Sequence, residues 1–515
     1  MNESVFLASL LDEMPEVVPL DDHNRALVAH VHPTDWQNPP PRARYNLVVI
    51  GGGTAGLVTA AGAAGLGATV ALVERQLLGG DCLNVGCVPS KALIRAARAA
   101  AAVRDAGAFG VEVPTGVRVD FPAVMERMRR LRAHLSAHDS AQRFRDLGVD
   151  VFLGNACFTG PDTVAVDEQT LRFAKAVIAT GSRASEPSIP GLKETDYLTN
   201  ETVFSLTELP QRLAVIGAGP IGCELAQAFA RFGSEVFLIE ALHGILPNYD
   251  PEAAEIVQRA MVRDGLHILC CGKDLQISRT DDGKRLWVDS HGEHYDIVVN
   301  DILVGVGRTP NLEGLGLEAA GVTCEKTGVT VNERLQTTNP RIYAAGDICS
   351  PYKFTHTADA MARLVIQNAL FLGRTKVSAL PTPWCTYTDP EVAHVGLDAK
   401  QAQAKGIPVQ TLVQPLAEVD RAVLDGDPDG FVKIHIRQGT DRLLGATIVA
   451  PHAGDLLSEV TLAMVGRLGL KTLARTIHPY PTQAEALKKV GDAYNRTRLT
   501  PFVKSLLTTW LGWTR

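Results

Sequence analysis

One pattern constrains this chain more than any other. It occurs twice: an apolar strand, a glycine-rich turn, a helix and a second strand ending in an acid. The first copy runs from the strand Tyr45 to Ile50 through Gly51-Gly52-Gly53-Thr54-Ala55-Gly56 to a second strand, Thr69 to Val73. The second runs from Leu213 to Ile216 through Gly217-Ala218-Gly219-Pro220-Ile221-Gly222 and a helix around Glu224 to Phe232, to a strand at Glu235 to Ile239. Near-continuous apolar runs of this length suit strands buried on both faces of a parallel sheet. The first glycine of each turn permits a sharp bend, the second lets a pyrophosphate approach the backbone, and the third lets the helix pack closely. The phosphates then face a helix N-terminus. Glu74 and Glu240 each stand 23 positions after the first glycine of their turn, where a carboxylate accepts hydrogen bonds from ribose hydroxyls. Two such units imply two nucleotide sites. The second reads as selective for a nucleotide with a free 2′-hydroxyl, because Glu240 repels a 2′-phosphate and the following Ala241, Leu242 and His243 supply no arginine to hold one.

At 515 residues the chain is long enough for about three domains. A net charge of −7 gives no support for nucleic-acid binding, and no apolar run is long enough for a membrane helix. The acidic first 19 residues do not resemble a signal peptide, so a cytoplasmic enzyme is expected, with no stable membrane insertion. Nine cysteines in this length do not form a disulfide scaffold.

Just after the first unit comes Gly79-Gly80-Asp81-Cys82-Leu83-Asn84-Val85-Gly86-Cys87-Val88-Pro89-Ser90-Lys91, followed by a helical stretch. Four residues separate the cysteines, an offset that can bring two thiols together at a helix N-terminus. The helix dipole and Lys91 favour a thiolate. A structural pair or half a zinc site is the alternative, although zinc knuckles space their cysteines more tightly.

From about Tyr45 to about Ala493 the chain resembles the class I pyridine nucleotide-disulfide oxidoreductases, which include dihydrolipoamide dehydrogenase, glutathione reductase and mercuric reductase. The resemblance implies an α/β chain of two Rossmann-like nucleotide-binding domains, for FAD and NAD(P), followed by an α+β dimerisation domain. It implies an FAD domain over 45–185 and 307–379, a nucleotide domain over 186–306 and an interface domain over 380–497; the residues on either side read as an irregular N-terminal extension over 1–44, open to ordering by packing on the body, and an apolar tail over 498–515. Cys87 becomes the thiolate against the flavin and Cys82 the interchange thiol. Lys91 lies near the flavin and pairs with Glu224. By the same resemblance Gly51, Gly53, Thr54, Ala55, Gly56, Glu74, Gly80, Asp81, Thr180, Gly181, Asp347, Thr355 and His356 line the FAD site, and Gly217, Gly219, Gly222, Glu240 and Gly307 line a nicotinamide nucleotide site, which with the preference for a free 2′-hydroxyl implies NADH over NADPH. A homodimer is implied, since the family builds each active site from two subunits.

In most of the family a His-Pro-Thr-x-x-Glu dyad serves the partner's thiol. Here the chain reads His478-Pro479-Tyr480-Pro481-Thr482-Gln483-Ala484-Glu485. Register places Tyr480 at the histidine position and Glu485 at the dyad glutamate; His478 is the other candidate. A phenol is a poor base at neutral pH but can donate a proton or contact a metal thiolate. Mercuric reductases share that tyrosine, so the acceptor reads as a metal ion or a small molecule. The chain nevertheless lacks an N-terminal Cys-x-x-Cys and a C-terminal cysteine pair. Dithiol or other disulfide substrates are the alternative, as is a flavin-disulfide sensor with little turnover. Cys270-Cys271 read as core residues of a strand, a soft-metal role being the minor alternative, and no resident metal is expected. The segment Phe502 to Trp513 reads as docked on the body, with cover over a partner's site or a membrane surface as alternatives.

Overall fold

A computed structural model describes residues 17–515. Its first sheet has seven strands. Val149–Leu153, Val70–Glu74, Tyr45–Ile50 and Gln169–Ile178 run parallel, and Ile342–Ala344 adds parallel to Gln169–Ile178. The other end of Gln169–Ile178 pairs antiparallel with Thr163–Val166, which pairs with Ala156–Gly160. The second sheet is parallel, in the order His267–Leu269, Glu235–Ile239, Arg212–Ile216, Asp301–Val304. A three-stranded antiparallel sheet, Lys273–Thr280, Gly283–Ser290 and Glu293–Val299, lies beside it. Both expected βαβ units are present.

The chain passes twice between the two nucleotide-binding units. Ser182–Ala184 leaves the first and Arg308–Pro310 returns to it, and the two strands pair with each other. The last unit is a five-stranded antiparallel sheet with the helices Ala453–Val465 and Glu485–Thr497 packed on it.

Two expectations need correction. Residues 17–44 are not simply irregular: Asp22–Val31 is a helix capped by the Asp21 side chain, and Leu27 and Val31 are buried in the first unit's core. Arg132 donates to Asn24 Oδ1 (2.8 Å) and the Trp36 indole donates to Val151 O (3.2 Å), so polar groups tie the segment down as well. The remainder of the expected extension, 1–16, lies outside the described residues. The apolar tail forms the helix Pro501–Trp513, but it does not dock on this chain, for every residue in it is exposed. Among the described residues none buries Phe502, Trp510 or Trp513.

The N-terminal helix should therefore behave as part of the fold. Leu27→Ala is expected to cost about 2–5 kcal/mol, the usual range for emptying a buried leucine site, and to lower the denaturant midpoint. An unchanged midpoint would show that the helix is dispensable.

Candidate functional site

A single cavity of about 1890 Å³ runs between the three units. Its lining includes all the residues expected to contact FAD or nucleotide except Gly56 and Gly222, together with Cys82, Cys87, Lys91 and Glu224. The two exceptions lie under the turns. A Cβ on Gly56 would come 1.8 Å from Gly51 O, and one on Gly222 would come 1.9 Å from Gly217 O. These glycines hold each helix against its own turn. Gly53 and Gly219 face open space instead, with no atom nearer than 3.7 Å to a Cβ at Gly53 and none within 4 Å at Gly219. That is the vacant approach a pyrophosphate needs, and both turns lead into helix N-termini, so the cradle fits a dinucleotide at each.

Each terminal acid also braces its own turn. Glu74 accepts from the Gly52 and Gln76 N–H groups at 2.5 and 2.7 Å. Glu240 accepts from the Ala218 and Leu242 N–H groups at 2.8 and 3.0 Å.

The cysteines do not share one helix. Cys82 sits in the short helix Gly80–Asn84, the chain bends at Val85-Gly86, and Cys87 opens the helix Cys87–Arg104. Gly80, at φ +57°, is packed so closely on Gly53 that a Cβ would lie 2.6 Å from its Cα, which fixes the loop to the first turn. Cys87 Sγ lies 3.3 Å from Thr355 Oγ1. The Cys87 thiol is lowered to about 6, first by a hydrogen bond from Cys82, then by Thr355 and the Lys91 charge, all against burial. The Cys82 thiol is raised, by the same hydrogen bond and by burial. Of the two, Cys87 holds the negative charge.

Lys91 Nζ pairs with Glu224 Oε2 at 2.7 Å and lies 4.5 Å from the centre of the Tyr387 ring. Glu224 Oε1 accepts from Tyr387 N at 2.8 Å. Burial pulls the lysine down, but Glu224 more than offsets this and holds it protonated.

Sequence reasoning missed several groups. Arg308 donates to Ser182 Oγ and O at 2.8 and 2.9 Å and reaches Asp81 at 3.2 Å and Asp347 at 3.8 Å. Ser182 donates to Asp347 Oδ2 at 2.6 Å. Asn200 donates to Asp81 Oδ1 at 3.1 Å. A third thiol, Cys385, also lines the cavity. Arginine and serine at the crossover strands could have been suspected from Val306-Gly307-Arg308; Cys385 gives no local signal.

Tyr480 and Glu485 do not line the cavity of their own chain. Tyr480 is 70% exposed, and its hydroxyl donates to Asp420 Oδ2 at 2.8 Å rather than to Glu485. That bond raises the phenol further, keeping its proton on. His478 is engaged elsewhere: Nε2 lies 3.1 Å from Glu459 Oε1 and Nδ1 lies 3.1 Å from Thr476 O.

Residues 45–362 match the family described as pyridine nucleotide-disulphide oxidoreductase, and residues 382–490 match its dimerisation domain. The chain belongs to this family. It is 37% identical over 453 residues to a mercuric reductase of Staphylococcus aureus, covering 88% of this chain and 83% of the relative. It is 36% identical over 451 residues to a dihydrolipoyl dehydrogenase of Chlamydia muridarum, covering 86% of this chain and 95% of the relative. The solved copper(II) complex of RclA, an HOCl-induced flavoprotein disulfide reductase of Escherichia coli, superposes with a TM-score of 0.77 at 28% identity, covering 88% of this chain and all of that one. The protein is thus an FAD-dependent disulfide oxidoreductase that uses a pyridine nucleotide. Among the described residues no helix is long and apolar enough to cross a membrane.

The cysteine assignment predicts a pH dependence. A thiolate exists above its pKa, so in the reduced Cys82→Ser protein, where the hydroxyl still donates to Cys87, alkylation of Cys87 by iodoacetamide should fall away only as the pH drops through about 6. Lys91→Met should move that midpoint upward. A midpoint near the ordinary thiol value of about 8.5 would refute the assignment.

Proposed function

We propose that this enzyme is an NADH-dependent reductase of a thiophilic metal ion, working through Cys82 and Cys87 in a homodimer. FAD, when bound, relays two electrons from the nicotinamide to the disulfide. Reduction of that disulfide consumes two electrons and one proton, leaving a thiol at Cys82 and a thiolate at Cys87. Cys82 is then the interchange thiol that meets the acceptor. Lys91, fixed by Glu224, stabilises the Cys87 charge. Arg308, Ser182 and Asp347 would orient the ribityl and phosphate region, and Gly217, Gly219, Glu240 and Gly307 would hold the nucleotide.

The observation that carries the choice of acceptor is Tyr480. Register with the family motif assigns it the position of the imidazole base, and its bond to Asp420 favours the protonated phenol. A dithiol–disulfide exchange needs a group that both takes and returns a proton near neutral pH; a metal ion held by sulfur does not. Mercuric reductases among the relatives favour the same reading. The exposure of Tyr480 on its own subunit suits a residue presented to a partner. A disulfide substrate is the second reading, favoured by the dihydrolipoyl dehydrogenases at similar identity. With NADH as donor we place the enzyme in the cytoplasm.

Anaerobic NADH oxidation against mercuric ion, lipoamide, glutathione disulfide and a quinone tests the proposal. The metal ion should turn over fastest. Tyr480→His, which restores a group titrating near neutrality, should raise lipoamide turnover relative to the metal reaction by about tenfold or more. Faster lipoamide turnover in the unaltered enzyme would select the disulfide reading, and a flavin that neither nucleotide reduces would leave a sensor.

Cofactor choice follows from Glu240. NADH should exceed NADPH in kcat/KM by at least about tenfold, the effect of roughly 1.4 kcal/mol of repulsion at the 2′-phosphate. Equal values would show that the carboxylate does not face the ribose.

A further inference from the structure

Away from the flavin cavity, four sulfur and nitrogen ligands converge where the sequence favours a strand core and keeps a soft-metal role as the minor alternative. Cys270 and Cys271 follow the end of His267–Leu269 and are not part of the strand. In an extended chain adjacent side chains point to opposite faces. Cys271 instead has φ +56°, a left-handed conformation that swings its thiol to the side of Cys270. His291 comes from the tip of the hairpin between Gly283–Ser290 and Glu293–Val299, where it and Gly292 form the turn with φ of +53° and +85°. His243 comes from the loop after Glu240. Cys270 Sγ lies 3.1 Å from His291 Nε2, and Cys271 Sγ lies 3.5 Å from His243 Nδ1. All four ligand atoms fall within 4.8 Å of one another.

We propose that His243, Cys270, Cys271 and His291 form a zinc site. Two thiolates and two imidazoles in a tetrahedral set select zinc among the common cations. Bond lengths of about 2.3 Å to sulfur and 2.0–2.1 Å to nitrogen put tetrahedral ligands roughly 3.3–3.8 Å apart. The two closest pairs here are already near that spacing, and the widest needs to close by about 1 Å. Two of the four ligands sit at left-handed, non-glycine positions, a strain that persists only where surrounding structure enforces it. The surroundings do so here: Cys271 N donates to Leu242 O at 2.9 Å, Gly272 N to Glu240 O at 2.8 Å, and Ser290 Oγ to Cys270 O at 2.6 Å. Three separate segments are thus locked in register before any ion arrives. Binding exchanges two thiol protons for one Zn²⁺, so affinity falls as the pH falls. The ion would fasten the loop beginning at Glu240 to the hairpin tip.

The test uses the oxidised holoenzyme, in which Cys82 and Cys87 are closed as a disulfide and cannot compete for metal. After equilibrium dialysis against Zn²⁺, the unaltered protein should hold one zinc per chain more than the Cys270→Ser/Cys271→Ser variant. Loading with Co²⁺ should give a thiolate-to-cobalt charge-transfer band and intense tetrahedral ligand-field bands. Both should be lost in the double variant and weakened in His243→Ala, whose exposed side chain can be removed without disturbing the core. Retained flavin and unchanged circular dichroism certify that the variants fold. Equal zinc content in all three proteins would overturn the proposal, as would a cobalt spectrum without the thiolate band.

Discussion

The ion pair between Lys91 and Glu224 is the contact on which the rest of the site depends. Lys91 belongs to the helix that Cys87 begins, and Glu224 belongs to the helix after the second glycine turn. The other carboxylate oxygen of Glu224 accepts from Tyr387 in the C-terminal unit. All three units therefore meet at one carboxylate that is only 6% exposed. Removing the lysine would leave this carboxylate without its compensating charge, at a cost below that of a fully buried pair because the Lys91 side chain is 36% exposed. The same pair adds to the electrostatics at Cys87, behind the hydrogen bonds from Cys82 and Thr355, since the lysine held by Glu224 lies close enough to favour the thiolate. One interaction thus joins the three units and adds to the stabilisation of charge at Cys87.

Much of this was legible in the sequence, for identifiable reasons. Strands buried on both faces give unbroken apolar runs, so Tyr45–Ile50 and Glu235–Ile239 were read at their observed limits. Glycines whose Cβ would collide with backbone leave a spacing that side chains cannot mimic, which is why both turns were found. Local order also placed Lys91 opposite Glu224, because the resemblance spans both helices.

What the sequence concealed depends on contacts between distant segments. Arg308 gathers Asp81, Ser182 and Asp347 from three places in the chain, and no periodicity announces such a convergence. The engagement of Tyr480 by Asp420 is likewise a matter of two loops meeting. Cys270 and Cys271 follow an apolar run and so read as strand; the left-handed residue that breaks the pattern is Cys271 itself and not the Gly272 beside it. The helix Asp22–Val31 was obscured by the proline-rich stretch that follows it, although Asp21 and Asp22 are a recognisable start.

The doubled role of the acids that end each nucleotide unit has a consequence for how such enzymes change. Glu240 faces the cavity, yet both its oxygens are bound to backbone N–H groups of the turn and of the chain just beyond it. A drift toward a phosphorylated nucleotide would ordinarily begin by discarding this carboxylate. Here the same step would orphan two amides at the bend that shapes the site. Any change at this carboxylate therefore changes the turn as well, and must first find another acceptor for its amides. Glu74 holds its own turn in the same way, so both units carry this linkage.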